Sequence, residues 1–367
     1  MNVNRIIQVH HADPPGALRE FLADWWSALG WRALLAPIES ADRSGVTSRP
    51  IDRPDQLAGV NPFAPIMLSN AATIVDPFVR DHAGQRVAVM LRPCELRALI
   101  ELRKRRRVPA VDEAIKDHTL MIIGVDCVAT YPVDEYARRI QEYGSEAVTH
   151  DALMYAGDDA YSPYDLRDVC KVCDWPAPRG ADAAIGVIGV APEEYLIVVA
   201  RDEATDDRLR LAAVTAGLAT DDQAARRELA VDELIEKRAA ARAQQLGSMP
   251  ANISASENIT DFARLLGWIS HCTLCGDCLD ACPLYNGELA GLLGVGGLRR
   301  NNHAPLADFI GVARWLTSCS GCGMCEAACE QGIPLGLIAS AFSHSIRGGL
   351  HHYAAGDPDR PLPWAGR

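Results

Sequence analysis

Eight cysteines fall in two runs of the same spacing near the C-terminal end of the chain. They are Cys272-x2-Cys275-x2-Cys278-x3-Cys282-Pro283 and Cys319-x2-Cys322-x2-Cys325-x3-Cys329. Three cysteines on one tight loop can cap three iron atoms of a four-iron, four-sulfide cubane. The fourth, at the start of the following helix, points the other way and caps a second cubane. This is the bacterial ferredoxin spacing, and it assigns Cys272, Cys275, Cys278 and Cys329 to one [4Fe-4S] cluster. Cys319, Cys322, Cys325 and Cys282 take the other. Gly276, Gly321 and Gly323 let the backbone turn tightly and aim N–H groups at sulfide. Zinc is the competing metal, but its sites pair their ligands and do not run four cysteines together twice. Two clusters pass single electrons and have no substrate chemistry of their own, so function must come from what lies at each end.

Two details depart from the simplest ferredoxin. Glu330 stands where proline commonly follows the last cysteine, and the gap between the runs is long, containing Gly291–Gly297 and Arg299-Arg300. The long gap points to a helical ferredoxin-like domain in place of a compact β/α one.

The other four cysteines lie earlier. Cys170-x2-Cys173 is a pair, and Cys94 and Cys127 stand alone. Arg86–Leu91 reads as a buried strand that feeds Arg92-Pro93-Cys94 and then a helix; Leu120–Gly124 followed by Asp126-Cys127 repeats the arrangement. Loops after the carboxyl ends of strands are where open α/β sheets hold ligands. Four thiolates gathered there would suit a third [4Fe-4S] cluster. The alternative is a redox-inactive CxxC with two buried loop cysteines, and spacing leaves both open.

The elements that must position these residues divide the 367-residue chain. Residues 1–220 read as mixed α/β: apolar runs such as Val87–Leu91, Leu120–Gly124 and Tyr195–Val199 alternate with helical stretches such as Cys94–Arg107 and Asp134–Tyr143. Residues 221–255 form a connector. Its charged, alanine-rich stretch Asp221–Leu246 is expected to be a helix capped by Asp221 or Asp222 and stopped at Gly247, and an ordinary surface helix is the competing reading. Residues 256–345 carry the mainly helical double-cluster domain. Residues 346–367, rich in proline and glycine, are expected to be a flexible tail or an arm laid over a partner.

Composition narrows the function. A net charge of −12 argues against a nucleic-acid surface. No apolar run approaches the roughly 18 residues of a membrane span. No basic stretch precedes an apolar one at the N-terminus, and no twin-arginine signal is present, so a cytoplasmic location is expected. Twelve cysteines clustered in short repeats then read as metal ligands and not as a disulfide scaffold.

A family resemblance rests on three segments of the α/β region. They are Arg92-Pro93-Cys94-Glu95-Leu96-Arg97-Ala98-Leu99, Gly124-Val125-Asp126-Cys127, and Cys170 through Asp182 with Trp175 and Arg179. These resemble the beta subunits of coenzyme F420-reducing hydrogenase and F420-dependent formate dehydrogenase. Cys322-Gly-Met-Cys325-Glu-Ala-Ala-Cys329 followed by Gly332-Ile-Pro-Leu335 is similar to the C-terminal end of the formate dehydrogenase beta subunits in particular. The resemblance covers roughly residues 60–340 and not the N-terminal 60. It implies FAD in the α/β domain, exchanging a hydride with a soluble carrier (coenzyme F420 or a nicotinamide) and passing electrons singly to the clusters. It also implies a catalytic partner of formate dehydrogenase or hydrogenase type and further electron-transfer subunits. Arg92 and Arg179 are candidates for the flavin and third-cluster surroundings. In the family the stretch Ala184–Gly189 is more polar and contains tryptophan, a departure that bears on the carrier. No G-x-G-x-x-G follows a strand, so an ordinary dinucleotide site is not indicated.

Other residues carry weaker signals. Arg103–Arg107 could meet phosphates or an acidic partner, or could be a solvated helix end. His271 and His303 read as neighbours of clusters and not as ligands, and His351-His352 as exposed. Asp158-Asp159, Asp206-Asp207 and Asp221-Asp222 look like turn or capping residues, and no catalytic acid–base set stands out. Two other readings stand beside a flavin- and cluster-bearing subunit: a wire without flavin that only docks partners, and a flavin reductase acting directly on an organic substrate.

Overall fold

The computed structural model describes residues 2–156, 165–248, 270–273, 275–285, 315–340 and 355–362. Its α/β region is built on one mixed sheet of eight strands in the order β3-β2-β4-β5-β6-β7-β1-β8. The strands are β1 (Val3–Gln8), β2 (Ala33–Glu39), β3 (Val46–Ile51), β4 (Val87–Leu91), β5 (Leu120–Val125), β6 (Ala183–Gly186), β7 (Tyr195–Ala200) and β8 (Gly217–Leu218). β2, β4, β5 and β6 are parallel, while β3 at one edge and β7, β1 and β8 at the other are joined antiparallel.

β4 and β5 are buried along their whole length. That is why they read as continuous apolar runs and not as alternating ones. Helices cover both faces. On one, α1 (Pro14–Leu29) packs Leu18, Leu22, Trp25 and Trp26 onto Met90, Ile123 and Ile185. Asp13 caps its first turn by accepting from Gly16 N–H at 2.9 Å, with Pro14 inside the first turn where a missing N–H costs nothing. On the other face, α2 (Ala72–Asp81), α3 (Pro93–Lys104) and α4 (Pro109–Lys116) bury Val75, Leu96, Leu99 and Val111 against Val89, Leu91 and Ile122. Leu284, just after Cys282 and Pro283, joins this second core and ties the end of the first cysteine run to the α/β region.

The expected Asp134–Tyr143 helix is α5 (Val133–Tyr143), followed by α6 (Ser145–Met154). α3 ends at Lys104, short of Arg107, so the Arg103–Arg107 run straddles the helix end. Arg103 there pairs with Asp112 at 2.8 Å and Lys104 with buried Glu101 at 2.8 Å. Asp206 is neither a turn nor a cap residue: it is buried and accepts two hydrogen bonds from Arg5 at 2.6 Å, which ties β1 to the short helix that follows β7. The short helix that contains it, Glu203–Arg208, is capped by Asp202.

The helix expected at Asp221–Leu246 runs from Asp221 to Ser248 and passes through Gly247. Its cap is Thr220 and not an aspartate. Thr220 Oγ1 accepts from Gln223 N–H at 3.2 Å, and Gln223 Oε1 accepts from Thr220 N–H at 2.9 Å, a reciprocal capping box. Numbered α7 here, this helix buries Arg227, Leu234, Arg238 and Arg242, so one of its faces lies on the chain. In the tail, Ala355 and Leu362 are buried, and Gly356 N–H donates to Glu101 at 2.8 Å, which holds the tail on α3 at that point. Among the described residues no helix is long and apolar enough to cross a membrane.

Candidate metal centre

β4 and β5 are neighbours in register, Leu91 opposite Gly124, so the loops at their carboxyl ends emerge side by side. Cys94 opens α3 after β4. Pro93 occupies the first turn of that helix, and Glu95 accepts from Arg92 N–H at 2.8 Å, which fixes the direction in which α3 leaves the sheet. Glu95 also accepts from Ala71 N–H at 3.0 Å; burial raises its carboxyl pKa against the pull of Arg92 and these two N–H groups. Cys127 follows β5 and donates its N–H to Pro176 O at 2.8 Å. That bond brings the Cys170-Cys173 segment over β5. The approach requires Gly124, since a Cβ there would lie 2.4 Å from Pro178 Cβ. Cys170 sits in the helical turn Asp168–Lys171, its sulfur 3.3 Å from Thr130 Oγ1.

The four thiols of this region come together. Burial pushes the Cys127 thiol up to about 12, and Cys170 and Cys173 push it the same way while Arg92 and Arg238 pull it down. Burial raises Cys94 well above the usual thiol range, and Cys127, Glu95, Cys322 and Cys173 add to it. Cys173 is raised by burial against Arg97 and Arg238.

In the two C-terminal runs each fourth cysteine acts on thiols of the other run. Burial pushes Cys278 up to about 11, and the thiols that add to it are Cys272, Cys275 and Cys329, the last from the other run. Cys319 is pushed up to about 12 by burial, Cys322 and Cys282, with Gly321 N–H, 3.4 Å from its sulfur, and Arg97 opposing. Burial, Cys319, Cys322 and Cys282 also raise Cys325. Cys282 accepts from Trp315 Nε1 at 3.2 Å. Gly276, Gly321 and Gly323 all have positive φ, the left-handed turns expected of them. At Gly323 the approach is also close, because a Cβ would meet Val169 Cγ1 at 2.4 Å.

The thiols that act on one another are Cys272, Cys275, Cys278 and Cys329, then Cys282, Cys319, Cys322 and Cys325 as a second group, and Cys94, Cys127, Cys170 and Cys173 as a third, with Cys322 also acting on Cys94. Such sets fit a polynuclear iron–sulfur core. Thiols that raise one another's pKa need a strongly positive centre to ionise together, and a bound metal supplies it. Among the described residues no group of three or more His, Cys, Asp or Glu side chains is already closed up around a metal-ion position.

The second and third sets are neighbours. Cys94 lies 3.9 Å from Met67 Sδ, and Met67 packs on Cys322 and Met324. The loop that carries Met67 is held by Arg92, whose guanidinium donates to the carbonyls of Pro62, Ala64 and Ile66. Arg92 therefore spends its donors on this loop and its charge on Cys127. Arg179 stacks over Trp175, 5.2 Å from the ring centre, and Arg97 stacks over the same ring at 4.8 Å. Asp126, before Cys127, accepts from Val187 and Ile188 N–H at 2.9 and 3.1 Å and pairs with buried Arg227 at 2.8 Å. The apolar Ala184–Gly189 stretch is therefore β6 and the loop that grips Asp126. His271 is exposed; His303, His351, His352, Asp158 and Asp159 lie outside the described residues.

Sequence reasoning missed Met67, Arg97, Arg227, Arg238 and Arg242. The signal for the last three is their spacing on one helix face, together with their charge. Arg242 meets Asp174 at 3.2 Å, beside Cys173.

Residues 84–225 match the family formed by the C terminus of coenzyme F420 hydrogenase/dehydrogenase beta subunits, and residues 268–333 match a 4Fe-4S dicluster domain. The α/β region is thus similar to those beta subunits over residues 84–225. The dicluster domain that follows marks an iron–sulfur electron-transfer protein. A chain of the F420-reducing [NiFe] hydrogenase complex from Methanosarcina barkeri, solved in a xenon-derivatised form, is similar at 11% identity with a TM-score of 0.47; the match covers 70% of this chain and 96% of that one.

Proposed function

We propose that this beta-type chain moves electrons between a catalytic partner of formate dehydrogenase or hydrogenase type and a soluble hydride carrier, through three [4Fe-4S] clusters and FAD, in the cytoplasm. The observation that carries the reading is the order of the thiol sets. Cys272, Cys275, Cys278 and Cys329 form the outermost, with Cys272 and Cys275 exposed. Cys282, Cys319, Cys322 and Cys325 form the middle set, and Met67 packs with Cys322 and against Cys94 of the third. When bound, the clusters supply one-electron transfer and the flavin exchange between a hydride and single electrons.

The residues of this chain hold and insulate that path. Arg92 and Arg238 offset charge at the third set, Trp315 donates to Cys282, and Met67 fills the space between two sets. The flavin rests on the resemblance of the segments around Cys94, Cys127 and Cys173. A cavity of about 470 Å³ lined by Asp13, Arg19, Glu39, Asn61, Thr149 and His150 has the volume of a small-ligand site. Its described lining includes polar and charged side chains, which suit the polar part of a carrier. Tyr136 stands between that cavity and the third set: burial pushes its hydroxyl up to about 12, with Glu39 raising it and Arg92 lowering it.

The test is anaerobic purification of the chain with flavin analysis, followed by reduction of F420 and of NAD⁺ with an artificial electron donor. The expected result is one flavin per chain and reduction of one carrier, without oxidation of formate or hydrogen by the chain alone. Clusters without flavin or carrier reduction would leave a bare electron conduit.

A further inference from the structure

Arg97 stands three residues after Cys94, on the first turns of α3, yet belongs to neither cysteine run. It is 5% exposed, and its Nε has no hydrogen-bond partner among the described residues. Its guanidinium stacks on Trp175, and its stem is pressed by Gly356, where a Cβ would fall 2.4 Å from Arg97 Cγ. Gly321, inside the second cysteine run, faces the head of the side chain: a Cβ there would lie 3.5 Å from Arg97 Nη1. A small cavity of about 30 Å³ opens at this point. Its lining includes Arg97, Cys173 of the third set and Cys319 of the second. Such a volume is enough for a water molecule if polar partners line it.

A permanently charged guanidinium buried without a carboxylate at its Nε is costly to hold unless negative charge lies near. Here the negative charge would come from two sides. The cavity at the Arg97 side chain is lined by Cys173 of the third set on one side and by Cys319 of the middle set on the other.

We infer that Arg97 is a positioning residue shared by two redox centres, its one buried positive charge stabilising the reduced form of both the middle and the third cluster and so keeping their potentials matched. The inference rests on the proposal that both thiol sets hold [4Fe-4S] clusters. The step it serves balances simply. One electron leaves the reduced cluster at Cys282/Cys319/Cys322/Cys325 and enters the oxidised cluster at Cys94/Cys127/Cys170/Cys173; no bond breaks and no proton moves. The total charge around Arg97 is the same before and after, so a cation placed between the two centres favours neither direction.

The test is a redox titration followed by electron paramagnetic resonance on the full chain, with iron content measured on each sample. Wild type with about twelve irons validates the underlying reading; about eight irons would sink that reading before any variant is made. Arg97→Gln and Arg97→Met are expected to make both clusters at least tenfold harder to reduce, about 59 mV each for one electron. Arg97→Lys, which keeps the charge but loses the planar stack, is expected to leave both potentials near wild type. Should the neutral variants lose iron, retention in Arg97→Lys still assigns the effect to charge. A shift of one cluster only, no shift, or equal damage by Arg97→Lys would overturn the inference.

Discussion

The cysteines of the C-terminal runs and those of the α/β region reach the same grouping by different routes. Cys319, Cys322 and Cys325 sit on one loop, turned by left-handed Gly321 and Gly323, and take one thiol, Cys282, from the sister run. Cys94, Cys127 and the Cys170–Cys173 pair come from three separate segments. What joins them is the parallel register of β4 with β5 and the Pro176–Pro178 segment crossing Gly124. The first kind of site is local and depends on turn geometry. The second is as stable as the sheet beneath it. Damage to the sheet's loops should therefore affect the third set and spare the others.

The largest separation of the two kinds is expected from Cys282→Ser. It removes a thiol from the first run but should empty the middle set, with loss of about four irons and of carrier reduction, while the third set keeps its cluster. Iron analysis with electron paramagnetic resonance checks this; loss confined to the outermost set would contradict the exchange of fourth cysteines. Next is Arg227→Ala. It leaves the Asp126 carboxylate buried without its cation and should destabilise the α/β region by about 3–5 kcal/mol in denaturant unfolding. Cluster loss at the third set should precede that at the others. Gly124→Ala comes third. Its methyl would meet Pro178 at 2.4 Å, at a cost of roughly 1–3 kcal/mol, and the third set should lose iron faster under chelator. The smallest effect is expected from Asp202→Ala, which removes the bond from Thr205 N–H at 2.7 Å. A lost cap of this kind costs about 1 kcal/mol and should leave iron content unchanged.

The same contrast explains what is legible without the fold. The eight C-terminal cysteines carry their turn geometry in their spacing, and it is this spacing that predicts the exchange of Cys282 and Cys329. β4, β5 and β7 are legible because each is an apolar run buried in the sheet. β1 is not, since its place is fixed by pairing with β7, far along the chain, and by the Arg5–Asp206 pair. The cap of the long helix is hidden because two aspartates follow Thr220 and look equally able to cap; the reciprocal bonds with Gln223 decide it. Met67 and Arg97 carry no motif at all. Their roles arise only where the cysteine runs dock on α3, which no local pattern encodes.

The most direct test of the account is the iron content of Cys94→Ser beside wild type, both purified anaerobically. The prediction is about twelve irons in wild type and about eight in the variant, with the two C-terminal clusters intact by spectroscopy. Equal iron in the two proteins would mean that the sheet-built thiol set holds no cluster, and the path through Met67 to the α/β domain would fall with it.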